Sequence, residues 1–203
     1  MAKTQSEVAE KSQGTVDRVN RTVVVRGITS IAFDKYAGDN KTQLEPQQKM
    51  YFLPDMKTIC LPCENIQSFL SSQNTMSAAQ RLGIKGWRKV AQACLSFVSI
   101  SPENIPFTRN GKPITFGKFV NDKDAESGAI VKRHTARVKG GIPNPKERPF
   151  LPTPWELEFT ISIYPNKEIK EEMVKQLFRE GGIAIGFGTF RGVFGKFEIV
   201  KWE

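Results

Sequence analysis

The chain is poor in the features that mark secreted, membrane-spanning or metal-dependent proteins. Its 203 residues include one histidine and three cysteines. An odd number of cysteines does not build a disulfide framework, and the four soft ligands, Cys60, Cys63, Cys94 and His134, lie at spacings too irregular for a four-ligand zinc site. No stretch reaches the roughly 18 consecutive apolar residues of a membrane span. The first twenty residues (MAKTQSEVAEKSQGTVDRVN) lack the apolar centre of a signal peptide. A soluble protein of a reducing compartment, with no membrane partner and no cofactor, is expected. Acidic residues are the scarcer charge: 21 Asp and Glu against 30 Lys and Arg leave a net +9. That balance points to a polyanionic partner, nucleic acid before membrane surface. Apolar residues make up 39% of the chain and fourteen are Phe, enough for a core that needs no disulfide or metal.

The positive charge is concentrated. Lys132 to Arg148 holds six Lys and Arg against one acid, and Arg81, Lys85, Arg88 and Lys89 fall within nine residues without one. These two segments account for the whole net charge. Clustering of this kind suits phosphate neutralisation, which needs several cations near one another. Lys132, Arg133, Arg137 and Lys139 of the first segment, and all four cations of the second, are candidate nucleic-acid contacts.

Along the chain, residues 1–20 read as a disordered polar tail and 21–203 as one domain with inserted loops at 34–48, 101–128 and 139–153. Arg21 to Phe33 is β-branched and forms a first strand, with Gly27 a bulge or bend. Segments 49–52 and 58–61 flank Pro54-Asp55-Met56-Lys57 as a hairpin. A short helix spans 64–71, and a longer one spans 77–97 with an apolar stripe of Trp87, Val90, Ala91, Cys94 and Val98; Gly83 and Gly86 are places where it can break. A short strand at 113–119 is expected within the 101–123 loop, and another strand at 129–138. Period-two alternation over 155–163 gives a half-buried strand. Asn166 caps a helix running to Arg179, with Ile169, Met173 and Leu177 on one face and Gly181-Gly182 as its stop. Strands follow at 183–187 and 195–202. The order strand, helix, strand, strand, helix, strand with added hairpins predicts an α+β, ferredoxin-like (RRM-like) βαββαβ core. Both helices on one sheet face would leave the other open for a ligand, the face RNA-recognition folds use.

Gly186 to Phe197 (GFGTFRGVFGKF) is the most distinctive segment. It is not a Rossmann fingerprint, since a strand follows it, and it has no Gly-Lys-Ser/Thr of a P-loop. Its glycines permit close backbone approach, and Phe187, Phe190, Phe194, Arg191 and Lys196 are residue types that stack bases and hold phosphates. A tight hairpin packed beneath the sheet is the structural alternative.

Residues 154–166 (PWELEFTISIYPN) with 179–203 (REGGIAIGFGTFRGVFGKFEIVKWE) resemble the ends of Cas-like proteins of bacteriophages and prophages, in or near the RAMP superfamily (repeat-associated mysterious proteins). Residues 23–33 (VVVRGITSIAF) are similar to that family's opening strand. Residues 57–72 (KTICLPCENIQSFLSS) are similar to its strand leading into the first helix. The resemblance covers roughly 21–98 and 129–202 and departs from the usual pattern at Cys63-Glu64-Asn65. It implies an RRM-like core that binds RNA or single-stranded DNA, in the cytoplasm of a bacterial host. It also implies a homo-oligomer or larger ribonucleoprotein assembly, since related CRISPR effector subunits polymerise along their RNA. Gly186, Gly188, Arg191, Gly192 and Gly195 match the family's glycine-rich loop.

Two other functions remain open. Nucleases of that superfamily often use a histidine, and His134, among cations, is the catalytic candidate for metal-independent RNA cleavage. The chain could instead be a phage module that binds or inhibits a host protein. Cys60-Leu61-Pro62-Cys63 reads as buried small hydrophobes rather than a redox pair, because Glu64 would raise the thiol pKa. No GxSxG or HExxH constellation supports a hydrolase or metal enzyme, and a non-enzymatic binding protein is the expectation.

Overall fold

The computed structural model describes residues 17–39, 41–72, 76–137 and 143–203; residues 1–16 of the expected tail lie outside them. The chain forms β1 (Val19–Gly27), β2 (Ile31–Ala32), a 3-10 turn (Pro46–Lys49), β3 (Cys60–Pro62), α1 (Cys63–Ser71), α2 (Ala78–Arg81) and α3 (Trp87–Phe97). It continues through β4 (Val98–Ser101), β5 (Asn104–Arg109), β6 (Lys112–Pro113), a 3-10 segment (Asp122–Ser127), β7 (Ile130–Arg137), β8 (Pro143–Leu151), β9 (Glu156–Ile163), α4 (Glu171–Ala184) and β10 (Phe197–Trp202).

The main sheet is antiparallel in the order β10-β1-β9-β5-β3, with β4 beside β9 and β6 beside β5. Strands β4 and β5 run along β9 in succession, Val98 opposite Ile163 and Phe107 opposite Leu157. The order β1, helices, β4–β5, β9, α4, β10 is therefore the ferredoxin-like arrangement, in spatial order fourth, first, third, second. The second core strand lies at 98–109, where the sequence suggested a loop over 101–128. Asn110 (φ 51) and Gly111 (φ 73) turn β5 into β6, the two left-handed positions of a tight hairpin. The strand expected at 129–138 belongs to a separate sheet, β2-β8-β7.

Other boundaries shift for packing reasons. The first strand ends at Gly27, and residues 31–32 join the second sheet. Gly27 is flat against the Trp155 indole, where an added Cβ would overlap the ring; the irregularity in register falls at Val24/Val25 instead. The long helix is split by Gly83 (φ 64) and Gly86 (φ 75), with Ser77 capping α2. Asn166 caps only a turn, accepting from Glu168 and Ile169 N–H, and α4 starts at Glu171. Gly181 and Gly182 do not stop α4 but lie buried within it, because Cβ atoms there would meet Ala78 at 2.8 Å and the Phe197 carbonyl at 2.6 Å. Residues 183–184 consequently finish the helix and 185–187 turn out of it, with no strand there. The loop expected at 139–153 contains β8, whose Pro143, Pro145 and Pro149 share one parity. Their missing N–H groups all face away from β7, on the edge where the Pro149 carbonyl accepts from Phe33 at 3.0 Å, and prolines are tolerated there.

Leu157, Phe159, Ile161 and Ile163 of β9 point into one core with Ile66 and Phe69 of α1, Val90 and Cys94 of α3, and Leu177 and Phe178 of α4. The opposite sheet face differs from the expected stacking platform. It presents Glu156, Glu158, Thr160 and Ser162 beside Arg26 and Glu198. Among the described strand residues on that face none is aromatic, and its acids repel phosphate.

Arg21 of β1 closes the sheet onto α4 with paired bonds to Glu171, Nε–Oε1 2.6 Å and Nη2–Oε2 2.8 Å, and Trp202 Nε1 donates to the same carboxylate. The Arg21 hydrogen bond, helped by Trp202, holds the Glu171 carboxyl below its ordinary value. A lowered folded pKa adds stability above the unfolded value of about 4.3, and that stability is lost as pH falls through the folded one. The melting-temperature gap between wild type and Glu171→Gln should be constant above about pH 5 and close at lower pH. A gap that persists undiminished in acid would contradict the pairing.

Candidate nucleic-acid interface

The glycine-rich loop links the end of α4 to β10 and folds against its own ends. Phe187 N–H donates to the Gly195 carbonyl at 2.9 Å, and Gly192 N–H to the Ile185 carbonyl at 2.6 Å. Gly186 and Gly195 have positive φ and lie backbone against backbone; a Cβ on Gly195 would overlap the Phe187 carbonyl oxygen. Gly188 (φ 77) approaches the Ala32 carbonyl to 2.6 Å as measured from a Cβ position. Three of the matched glycines thus serve approach to the protein's own backbone. Gly192 (φ 90) alone among the four opens onto empty space.

Thr189 N–H donates to Ala32, which pins the loop onto the second sheet. The register of β7 on β8 then builds one face. Ile130 opposes Phe150, Lys132 opposes Arg148, and His134 opposes Lys146. Phe194 packs on Phe150 at 4.8 Å and on His134 at 5.4 Å. Phe190 lies over the Arg148 guanidinium at 5.6 Å with 39% of its surface exposed. Arg148 is 5% exposed and pairs through Nε with Asp34 at 3.0 Å, while Lys146 and Lys132 lie 3.8 Å from Asp34 and Asp122. This combination of ring, buried guanidinium and outer lysines can hold a base and its phosphates.

The expected contacts are distributed unevenly over this arrangement. Phe190 and Lys132 belong to the face, and Phe194 supports it. Phe187 does not: it is fully buried and stacks on Phe197 at 4.2 Å. Arg133 has the opposite parity on β7 and lines a cleft of ≈590 Å³ at the edge of the face, together with Asp34, Lys49 and Lys146. Arg137 lies opposite Pro143 in the strand register at the hairpin end, and Lys139 lies outside the described residues. Lys196 ties the loop to the segment that follows β1 through its carbonyl, which accepts from Ile28 and Thr29. Arg81, Lys85, Arg88 and Lys89 are exposed on α2, α3 and their link, with Arg88 over the Trp87 ring at 4.9 Å. They rest on different elements from the hairpin, and the two basic segments are not brought into one patch by any described contact.

His134 has phenylalanine neighbours at 5.2, 5.4 and 6.2 Å. Its Nδ1 is buried without a hydrogen-bond partner among the described residues, so no group orients the ring as a general base. Asn65 and Ser68, on the helix whose opening departs from the family pattern, meet the loop instead. Asn65 Oδ1 accepts from Gly188 N–H at 3.0 Å, and Arg191 donates to Ser68 Oγ at 3.3 Å. These four residues line a cleft of ≈430 Å³. Burial pulls the Arg191 guanidinium below its ordinary value. Burial also pushes the Cys60 thiol up to about 11 and Cys94 up to about 12, and raises Cys63 with the help of Glu64, which leaves little thiolate at neutral pH.

Sequence reasoning missed Arg148, Asp34 and Phe150 as parts of the face. The signal was present in the alternation Ile130-Lys132-His134 and Lys146-Arg148-Phe150, which needs only the hairpin register to place six side chains together.

No protein-family model matches the sequence, and no curated protein matches it. Among solved structures, the fold is similar to a chain from the cryo-EM structure of the Type III-B Cmr-beta bound to cognate target RNA. The TM-score is 0.50 with 15% sequence identity, over 92% of this chain and 60% of that one. This chain therefore spans about three-fifths of its neighbour's length, and the likeness is one of fold.

Proposed function

We propose that the chain binds single-stranded nucleic acid, RNA before DNA, without reading sequence. The observation that supports this most is the half-exposed Phe190 ring over Arg148, flanked by Lys132 and Lys146. The RNA-bound assembly that holds the fold neighbour favours RNA. Backbone phosphates pair with the lysines while a base stacks on Phe190. The cations of α2 and α3 form a second contact region that only a longer strand reaches. Subunits assemble along the strand, with loop 34–48 and the β7–β8 hairpin as contacts to the next copy. The phage or prophage setting and the bacterial cytoplasm rest on the sequence resemblance.

Fluorescence anisotropy of labelled single-stranded RNA, single-stranded DNA and duplex over a salt series tests this reading. Three phosphates neutralised at the hairpin give a log–log salt slope near −2 for a short oligomer, at about −0.7 per phosphate. Reversing both lysines (Lys132→Glu, Lys146→Glu) should flatten that slope by about 1.4. Reversing the α2–α3 cations should weaken long oligomers only. Absence of binding at low salt would refute the proposal.

A further inference from the structure

We infer that the basic face contains a closed seat for one phosphate group, formed by Arg148 Nη1 and His134 Nδ1 beneath the Phe190 ring, and that a bound strand opens it by displacing that ring. The inference rests on the nucleic-acid reading and names the chemistry at its centre.

Two buried polar atoms carry the argument. Arg148 is 5% exposed; its Nε is paired with Asp34, yet its Nη1 is buried without an acceptor among the described residues. His134 Nδ1 is likewise buried with no hydrogen-bond partner among the described residues, and in its Nδ1–H tautomer it too is a donor. Buried polar atoms in folded proteins are overwhelmingly paired, and a donor left unmade on a charged group is costly. Both side chains are on one face of the hairpin, because Arg148 opposes Lys132 and His134 follows two residues later on the same strand. Both lie beside the Phe190 ring, whose centroid is 5.6 Å from the guanidinium carbon and 6.2 Å from the imidazole centroid, while Phe150 and Phe194 enclose the His134 ring at 5.2 and 5.4 Å.

The cover itself is held in an unfavourable backbone state. Phe190 has φ 58, a left-handed conformation that side chains other than glycine rarely adopt. It lies between Gly188 and Gly192, and Gly192 has open space around it. Moving the ring outward exposes the Nη1 donor and makes the aromatic face available to a base. Lys132 and Lys146 stand beside the opening, so the ligand is an anion. A tetrahedral phosphate offers oxygens to guanidinium and imidazole donors together. An internal diester and a strand-terminal monoester share this chemistry.

His134 is the chain's one histidine, so its ring nitrogens report on the seat without ambiguity. The ¹⁵N-labelled full chain would be titrated with inorganic phosphate, with a 5′-hydroxyl RNA oligomer and with the same oligomer 5′-phosphorylated. A saturable shift of the Nδ1 resonance in every titration is expected. Equal affinity for the two oligomers assigns an internal diester, and tighter binding of the phosphorylated one assigns a strand end. In Phe190→Gly the seat is open in advance, so inorganic phosphate should bind about threefold more tightly while the oligomers bind more weakly. Unchanged phosphate affinity in that variant overturns the cover. An oligomer that binds by anisotropy without moving Nδ1 overturns the seat and leaves the nucleic-acid reading standing. A shift with inorganic phosphate but no oligomer binding does the reverse.

Discussion

Gly195→Ala is expected to lower stability on the order of 3–5 kcal/mol, enough to shift the melting temperature by roughly 10 °C in a chain of this size. Two effects add. Gly195 has φ 71, and a side chain in that conformation costs about 1–2 kcal/mol. The larger effect is steric: the new Cβ would overlap the Phe187 carbonyl oxygen, with the Phe187 amide nitrogen at 3.1 Å, and backbone cannot rotate away as a side chain can. The Phe187–Gly195 hydrogen bond that closes the loop would break, and Phe187 would leave its stack on Phe197. Gly192→Ala is the internal control. Its φ of 90 carries a similar conformational cost, but nothing lies within 4 Å of the added atom. Thermal melts of the two variants should separate clearly. Equal melting temperatures would mean the loop is not closed through Phe187 and Gly195.

That contrast explains why the glycine-rich segment was conspicuous in the sequence yet misleading about its chemistry. Its composition showed that backbone passes close to something, and a ligand was the natural candidate. The structure makes the partner the chain's own carbonyl groups at Phe187, Gly195 and Ala32. Elements with a local period were legible: β9 from its alternation, α1 and α3 from their spacing, and the breaks at Gly83 and Gly86. Two of the strands that were missed have prolines, Pro106 in β5 and Pro143, Pro145 and Pro149 in β8. Proline composition suggests a loop, but whether a proline fits a strand depends on which edge its missing N–H faces, and only the pairing partner decides that. The same holds for the candidate site. Cations at Lys132 and Lys146 were visible as a run, whereas their meeting with Phe190 depends on the long-range Thr189–Ala32 bond. The burial of Arg148 follows from Asp34, more than a hundred residues earlier.

Phe190→Ala should reduce affinity for single-stranded RNA about tenfold while leaving the melting temperature nearly unchanged. A base stacked on an aromatic side chain contributes about 1–3 kcal/mol by alanine substitution, and 1.4 kcal/mol is a tenfold change in binding. Phe190 is exposed enough to offer a face and strained enough that its loss does not loosen the loop. Its neighbours give the opposite pattern. Phe187 is fully buried among Phe69, Phe178 and Phe197, so Phe187→Ala should cost about 3–5 kcal/mol of stability and weaken binding only through unfolding. Phe194→Ala removes the ring that packs on Phe150 and should lower both stability and affinity moderately. Phe190→Trp, which keeps an aromatic face, should restore binding. Anisotropy and thermal melts on the four variants separate these roles. If Phe190→Ala binds RNA as wild type does, the ring is not a stacking surface, and the contribution of the face is reduced to its lysines.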